Sequence, residues 1–281
     1  SISSVSNGPL EITSGGDGIY HDASNLHNTD CTLTVNAAGN GLYRHSGTSG
    51  DATRISGSHV TVKSGGGAAI QNSGVSISDS TVYAASEGNA AILASGNITI
   101  TDSTVTAYCT ATNSVSTHCA GLRSNGSVKI SGNSTVTATS LGGDSMISNG
   151  VFGRSVTLER GGTLTAAGKQ AAVRANASIT VPNGYLPEGY SVREVSYTGD
   201  RGPGTVYTIA RDGAAVTYDP DTGTLTGAAT SVTLEEPAPA PDPDRPSYDR
   251  GDDDRDTGST TESERNPDGS LTTTVTKPDG T

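Results

Sequence analysis

SGVSISDSTVYA, Ser73 to Ala84, is followed by ASEGNAAILA and then by SGNITITDSTVTA, Ser95 to Ala107. The chain says nearly the same thing twice within a few dozen residues, and this repetition decides the fold. Reduced to its apolar positions, each copy is V-x-I, a turn of Ser, Asp, Gly or Asn, then V-x-A. Val75/Ile77 with Val82/Ala84 is one copy, and Ile98/Ile100 with Val105/Ala107 is the next. Val128/Ile130 with Val136/Ala138 follows, then Val156/Leu158 with Leu164/Ala166, and Ile179/Val181 begins a last one. Upstream, Thr53/Ile55 goes with Val60/Val62 and Leu26/Asn28 with Leu33/Val35, while Val5 with Leu10/Ile12 is a partial first copy.

A third short element lies between copies, an apolar residue after a small one. It reads Gly18-Ile19-Tyr20, Gly41-Leu42-Tyr43, Ala69-Ile70-Gln71, Ala91-Ile92-Leu93, Gly121-Leu122-Arg123, Met146-Ile147-Ser148 and Ala172-Val173-Arg174. Its central residues are spaced 23, 28, 22, 30, 25 and 26 apart. Every element alternates with period two and is too short for a helix, so each is a strand. Three short strands per repeat, each repeat stacked on the last, predict a right-handed parallel β-helix of seven to eight coils over residues 1–182. At about 4.8 Å per coil the rod is roughly 35 Å long. A β-sandwich or an up-and-down barrel competes with this reading, but neither keeps the same inward residues at a near-constant period. Asn28 is a misfit in an inward slot; it either hydrogen-bonds inside or marks a shift of its coil.

Composition agrees with a narrow interior. The 281 residues include 37 Gly, one Phe, one Met and no Trp, and only 32% are hydrophobic. The net charge of −12 falls mostly on the segment from Glu235 onward, which carries −8. No basic patch is present, which argues against nucleic acid as a partner. No apolar run approaches a membrane span of about 18 residues, which argues against membrane insertion. The chain opens inside a pattern, and its N-terminus reads as a processing boundary.

Past Pro182 the coil pattern stops. PNGYLPEGYSV leads into REVSY, GTVYTIA, AAVTYD, GTLTG and SVTLEE, short strands joined by turns. Residues 183–235 are expected to form a small β element that covers the open edge of the last coil. Residues 236–262 are Pro- and Asp-rich and read as a disordered linker. Residues 263–281 carry Pro-Asp-Gly twice around SLTTTVT. This last segment resembles repeats found between domains of bacterial surface proteins, and implies a monomeric part of a larger multidomain chain.

The chemistry-bearing residues are few. Cys109 and Cys119 bracket TATNSVSTH, and a disulfide between them would staple that excursion and imply an oxidising, extracellular setting. Cys31 takes a turn slot filled by Ser80 two coils later. Asp17, Asp22, Asp30, Asp51, Asp79, Asp102 and Asp144 are too scattered for the paired carboxylates of a glycoside hydrolase, and Asp30, Asp79 and Asp102 read as turn residues of one column. The residue after each third-element anchor points outward, giving the column Tyr20, Tyr43, Gln71, Leu93, Arg123, Ser148 and Arg174. Tyr20 and Tyr43, with His21, Arg44 and His45 beside them, form an aromatic-polar strip suited to stacking on sugar rings. Ordinary packing of the two tyrosines is the plainer reading.

GGDGIYHDASN, CTLTVNAAGNGLYRHSG and GGGAAIQNSGVSISDSTVYAASEGNAAILASGNITITDSTVTA resemble the β-helical carbohydrate-binding proteins of anaerobic Gram-positive bacteria. The likeness covers about residues 8–181. It implies a fold similar to that of pectate lyases, and binding of acidic or cellulosic polysaccharides and of calcium. Asp17 and Asp22 are the candidate calcium ligands. Only Asp17-Gly18-Ile19 keeps an acid before the small residue; Asn40, Ala68, Ala90, Ala120, Ser145 and Ala171 follow in that slot. The resulting expectation is a non-enzymatic, secreted or wall-associated module that binds a polysaccharide or a host or cell-wall glycan and works as an adhesin. A structural stalk and a polysaccharide lyase are the alternatives.

Overall fold

The structure, a computed structural model, describes residues 9–20, 26–44, 52–110, 118–142, 147–200 and 202–238, and the backbone of 2–3, 260–265 and 271–276. Among the described residues every regular element is a strand. They build a parallel β-solenoid from three ladders. The first ladder begins with Ile2–Ser3, Leu26–Thr29, Ala52–Ser56, Gly74–Ser78, Ile98–Thr101 and Ser127–Ser131. The second runs Leu10–Ser14, Thr32–Ala37, His59–Ser64, Thr81–Ser86, Thr104–Cys109, Thr135–Ser140 and Thr163–Gly168. The third begins with Ile19–Tyr20, Leu42–Tyr43, Ile70–Asn72, Ile92–Ala94 and His118–Ser124. In the last coils the first and third ladders fuse into the long strands Ile147–Leu158 and Ala171–Thr180, so the two join in one 15-stranded sheet.

The stacking is residue on residue. Val75 pairs with Ile98, Ile98 with Val128, Val128 with Val156 and Val156 with Ile179. Val60, Val82, Val105, Val136 and Leu164 make the matching column of the second ladder. All of these except the partly buried Ile179 are essentially sealed from solvent. Each such side chain contributes about 1.5–3 kcal/mol by leaving water. The smaller Ala84, Ala107, Ala138 and Ala166 follow in a narrow part of the interior.

One anchor of the third ladder differs from the expectation. Leu122 pairs with Val151, and Val151 with Val173, so Val151 is the anchor and Ile147 is not. The small residue before the anchor explains why. A Cβ on Gly150 would lie 2.7–2.8 Å from backbone atoms of the neighbouring strands, and Gly121 is equally confined. Gly150-Val151 satisfies that constraint; Met146-Ile147 does not. The slot before it is therefore Asn149, not Ser145, and the outward column holds Phe152, not Ser148.

Serine hydroxyls hold the turns in line. Ser58, Ser80, Ser103 and Ser134 each donate to a carbonyl two or three residues earlier, at 2.6–2.7 Å. The same hydroxyls accept the backbone N–H of the preceding coil: Cys31 to Ser58, Ser58 to Ser80, Ser80 to Ser103 and Ser103 to Ser134. Cys31 thus heads a serine column, buried and unbridged. Beside it, Asp30, Gly57, Asp79, Asp102 and Gly132 have φ of +47° to +62°. Left-handed backbone suits Gly and, among side chains, Asn and Asp.

Antiparallel strands from beyond the coils pair with the last coil. Ser231–Leu234 pairs antiparallel with Thr163–Gly168, and the hairpin of Tyr190–Gly199 with Gly202–Arg211 pairs antiparallel with Ala171–Thr180. Arg174 fixes a smaller hairpin, Thr217–Asp219 with Thr224–Thr226. Its guanidinium lies 5.3 Å from the Phe152 ring centroid and 4.6 Å from that of Tyr218, and donates to the Gly223 carbonyl and the Tyr218 hydroxyl. Burial lowers the Arg174 pKa, while the tyrosines beside it oppose that shift. All of this lies in one compact unit, Ser1–Pro237. The other unit, Ala238–Thr281, contains an antiparallel pair, Thr260–Arg265 with Leu271–Thr276. Its first strand starts inside the segment read as a linker; the rest of that segment from 239 lies outside the described residues.

Candidate functional site

The expected aromatic strip forms in part. Tyr20 and Tyr43 are register partners in the third ladder, with ring centroids 5.8 Å apart and planes tilted by 43°. Tyr20 is 52% exposed and Tyr43 is half-buried. Arg44 does not join them at the surface. It is buried, and its guanidinium donates to the Ser73 hydroxyl at 3.4 Å. The reason is the strand's own alternation: with Tyr43 outward, the next residue turns inward. His21, Asp22 and His45 lie outside the described residues.

Asp17 is engaged in a turn. Its Oδ1 accepts the Asn40 backbone N–H at 2.8 Å and the Asn40 side-chain amide at 3.0 Å. Asn40 then accepts the Ala68 N–H with its own Oδ1, so the pair caps successive coils. Asp102 likewise accepts the Asn133 N–H. Among the described residues no group of three or more His, Cys, Asp and Glu is arranged to hold a metal ion. Asp17 is thus engaged as a turn cap, and Asp22, the other candidate calcium ligand, lies outside the described residues.

Cys109 and Cys119 are bridged, with Cα atoms 6.2 Å apart and both residues buried. Cys109 takes the place that Ser86 and Ser140 hold in adjacent coils, and Cys119 pairs with Ser148.

A second aromatic feature was passed over in the sequence. On the outer face of the second ladder an open groove of about 480 Å³ runs across coils, from Ser14 through Asn36, Lys63 and Ala85 to Tyr108 and Thr110. Lys63, Ala85 and Tyr108 are successive register partners. Tyr83 lies two residues before Ala85 on its strand and Glu87 two residues after it, just past the strand's end. The alanine methyl is thus a floor bounded by Lys63, Tyr108, Tyr83 and Glu87. Tyr83 is 38% exposed and Tyr108 half-buried. Their Cα atoms are diagonal neighbours roughly 8 Å apart. Neither Lys63 nor Glu87 forms an ion pair among the described residues. The signal was available: TVYAAS and TVTAYC each place one Tyr among outward positions otherwise filled by Thr and Ala.

An apolar floor, two phenol rings, a donor-only ammonium and an acceptor-only carboxylate can together take a ring with one apolar face and a rim of hydroxyls. Compared with known proteins, the chain matches no family model, no curated protein and no solved structure.

Proposed function

We propose that this chain is a non-catalytic glycan-binding module of a secreted or cell-surface bacterial protein. The observation that carries the reading is the groove around Ala85, where Tyr83 and Tyr108 meet Lys63 and Glu87. The Tyr20–Tyr43 pair offers a second aromatic contact on the third ladder, in the coils where the groove begins with Ser14 and Asn36. The buried Cys109–Cys119 bridge supports an oxidising compartment. The parallel β-solenoid is compatible with the carbohydrate-binding family that the coil sequence resembles. A binding role is favoured over a lyase because Asp17 and Asp102 are spent on backbone N–H groups of neighbouring turns.

The test is retention on an array of immobilised polysaccharides, compared with the Tyr83→Ala/Tyr108→Ala double variant. Retention of the parent that falls about tenfold or more in the variant supports the site. A folded parent retained by no glycan leaves the stalk as the better account. Release of unsaturated products from polygalacturonate would replace binding by catalysis.

A further inference from the structure

We infer that the groove takes an uncharged, straight polysaccharide chain lying parallel to the solenoid axis, with one ring seated on Ala85. This rests on the glycan-binding reading above. The first argument is the direction of the groove. Its residues come from five consecutive strands of the second ladder, from Ser14 to Tyr108, rather than from the length of one strand. Four steps between strands span about 19 Å, room for several sugar rings in a row. Along the strand direction the space is bounded on the Ala85 row by Tyr83 and Glu87. A chain following that strand would run into one or the other; a chain crossing coils passes over Ala85 between its register partners Lys63 and Tyr108, meeting an ammonium on one side and a phenol ring on the other, while Gly65 and Ala38 keep the adjoining row low.

The second argument is charge. Lys63 and Glu87 are the charged groups of the lining; their charges cancel, and neither has an ion-pair partner among the described residues. They supply one set of donors and one set of acceptors, the pair that hydroxyl groups can satisfy at once. A polyanion would meet Glu87 and a coil region that is itself net negative, −4 of the −12 lying before Glu235. Among the described residues no second cation lines the groove to offset that repulsion.

The third argument is that the floor can be tested without damage to the fold. Ala85 faces outward in a column whose neighbours are Lys63 and Tyr108, so this backbone already carries long side chains at equivalent places. Ala85→Arg would fill the central position and leave the buried face untouched.

Titration of the whole chain with xylo-, manno- and cello-oligosaccharides of increasing length, read by tyrosine fluorescence, tests the arrangement. The expected result is affinity that climbs with chain length and levels off once the groove is filled. That affinity should be insensitive to salt and fall roughly tenfold or more in Ala85→Arg. Equal affinity for a single ring and a long chain, or no effect of Ala85→Arg, overturns the axial placement. Tighter, salt-sensitive binding of oligogalacturonides overturns the uncharged class. Array retention without binding of any of the three uncharged series also overturns it, while leaving glycan binding itself in place. Failure of the parent to retain any glycan on the array overturns the underlying reading instead.

Discussion

The hydroxyls of Ser140 and Ser148 lie 2.8 Å apart, one coil on from the bridge between Cys109 and Cys119. Cys109 is the register partner of Ser140, and Cys119 of Ser148. One coil thus closes its corner with a covalent bond where the next uses a hydrogen bond. Replacing both cysteines by serine reproduces the neighbouring chemistry, so the corner should keep its shape. The lost loop constraint should cost about 2–3 kcal/mol. Urea unfolding of the double variant, beside the reduced parent, checks this. A loss much above that range would mean that the corner depends on the sulfur packing.

Ser103 tests the serine column. Its hydroxyl accepts the Ser80 N–H at 3.1 Å and donates to the Thr101 carbonyl at 2.7 Å. In Ser103→Ala both backbone groups lose a partner in a buried place, at a cost of about 1–3 kcal/mol. Thr99→Ala, at an outward position of the adjacent strand, should stay within about 0.5 kcal/mol of the parent. Equal effects of the two substitutions in denaturant melts would show that the column only decorates the turns.

How much of this was legible follows from what each residue has to satisfy. Val75, Ile98 and Val128 stack because inward slots accept only apolar side chains of similar size, so their period could be read directly. Val151 was missed because the constraint that selects it is on Gly150, where the crowding comes from backbone atoms of other strands. Asp79 and Asp102 were recognised as turn residues, but the left-handed backbone that Asp shares with Gly57 and Gly132 shows only in the coordinates. Arg44 is buried because it follows the outward Tyr43 and alternation sends it inside, a constraint that adjacency in the sequence does not display. The groove escaped because the repeat was read for its inward residues, and Tyr83, Ala85 and Tyr108 are the ones left over.

Asn28 is the inward misfit, and its coil does not shift. It keeps its register with Ile55, is fully buried, and neither its amide nitrogen nor its amide oxygen has a hydrogen-bond partner. A buried amide without partners costs about 1–3 kcal/mol. Asn28→Val removes that cost and adds apolar contact beside Ile55. The variant should unfold at higher denaturant than the parent. A destabilised variant would mean that the amide serves an internal water or a structural contact.

Asp219 makes the small terminal hairpin sensitive to acid. One carboxylate oxygen accepts the Thr222 hydroxyl at 2.7 Å and the other accepts the Asp221 N–H at 2.9 Å. The Thr222 side-chain bond, then the Asp221 backbone bond, lower its pKa below the usual carboxylate value. A carboxyl whose folded pKa is lowered stabilises the fold fully above its unfolded value and loses that contribution as pH falls through the folded one. The support is therefore complete above about pH 4 and fades below it. Asp219→Asn should speed amide exchange in Thr217–Asp219 and Thr224–Thr226 at neutral pH, with Arg174 still holding Gly223 from the other side. The difference from the parent should shrink in acid. A difference that persists unchanged at low pH would assign the effect to the shape of the side chain and not to its charge.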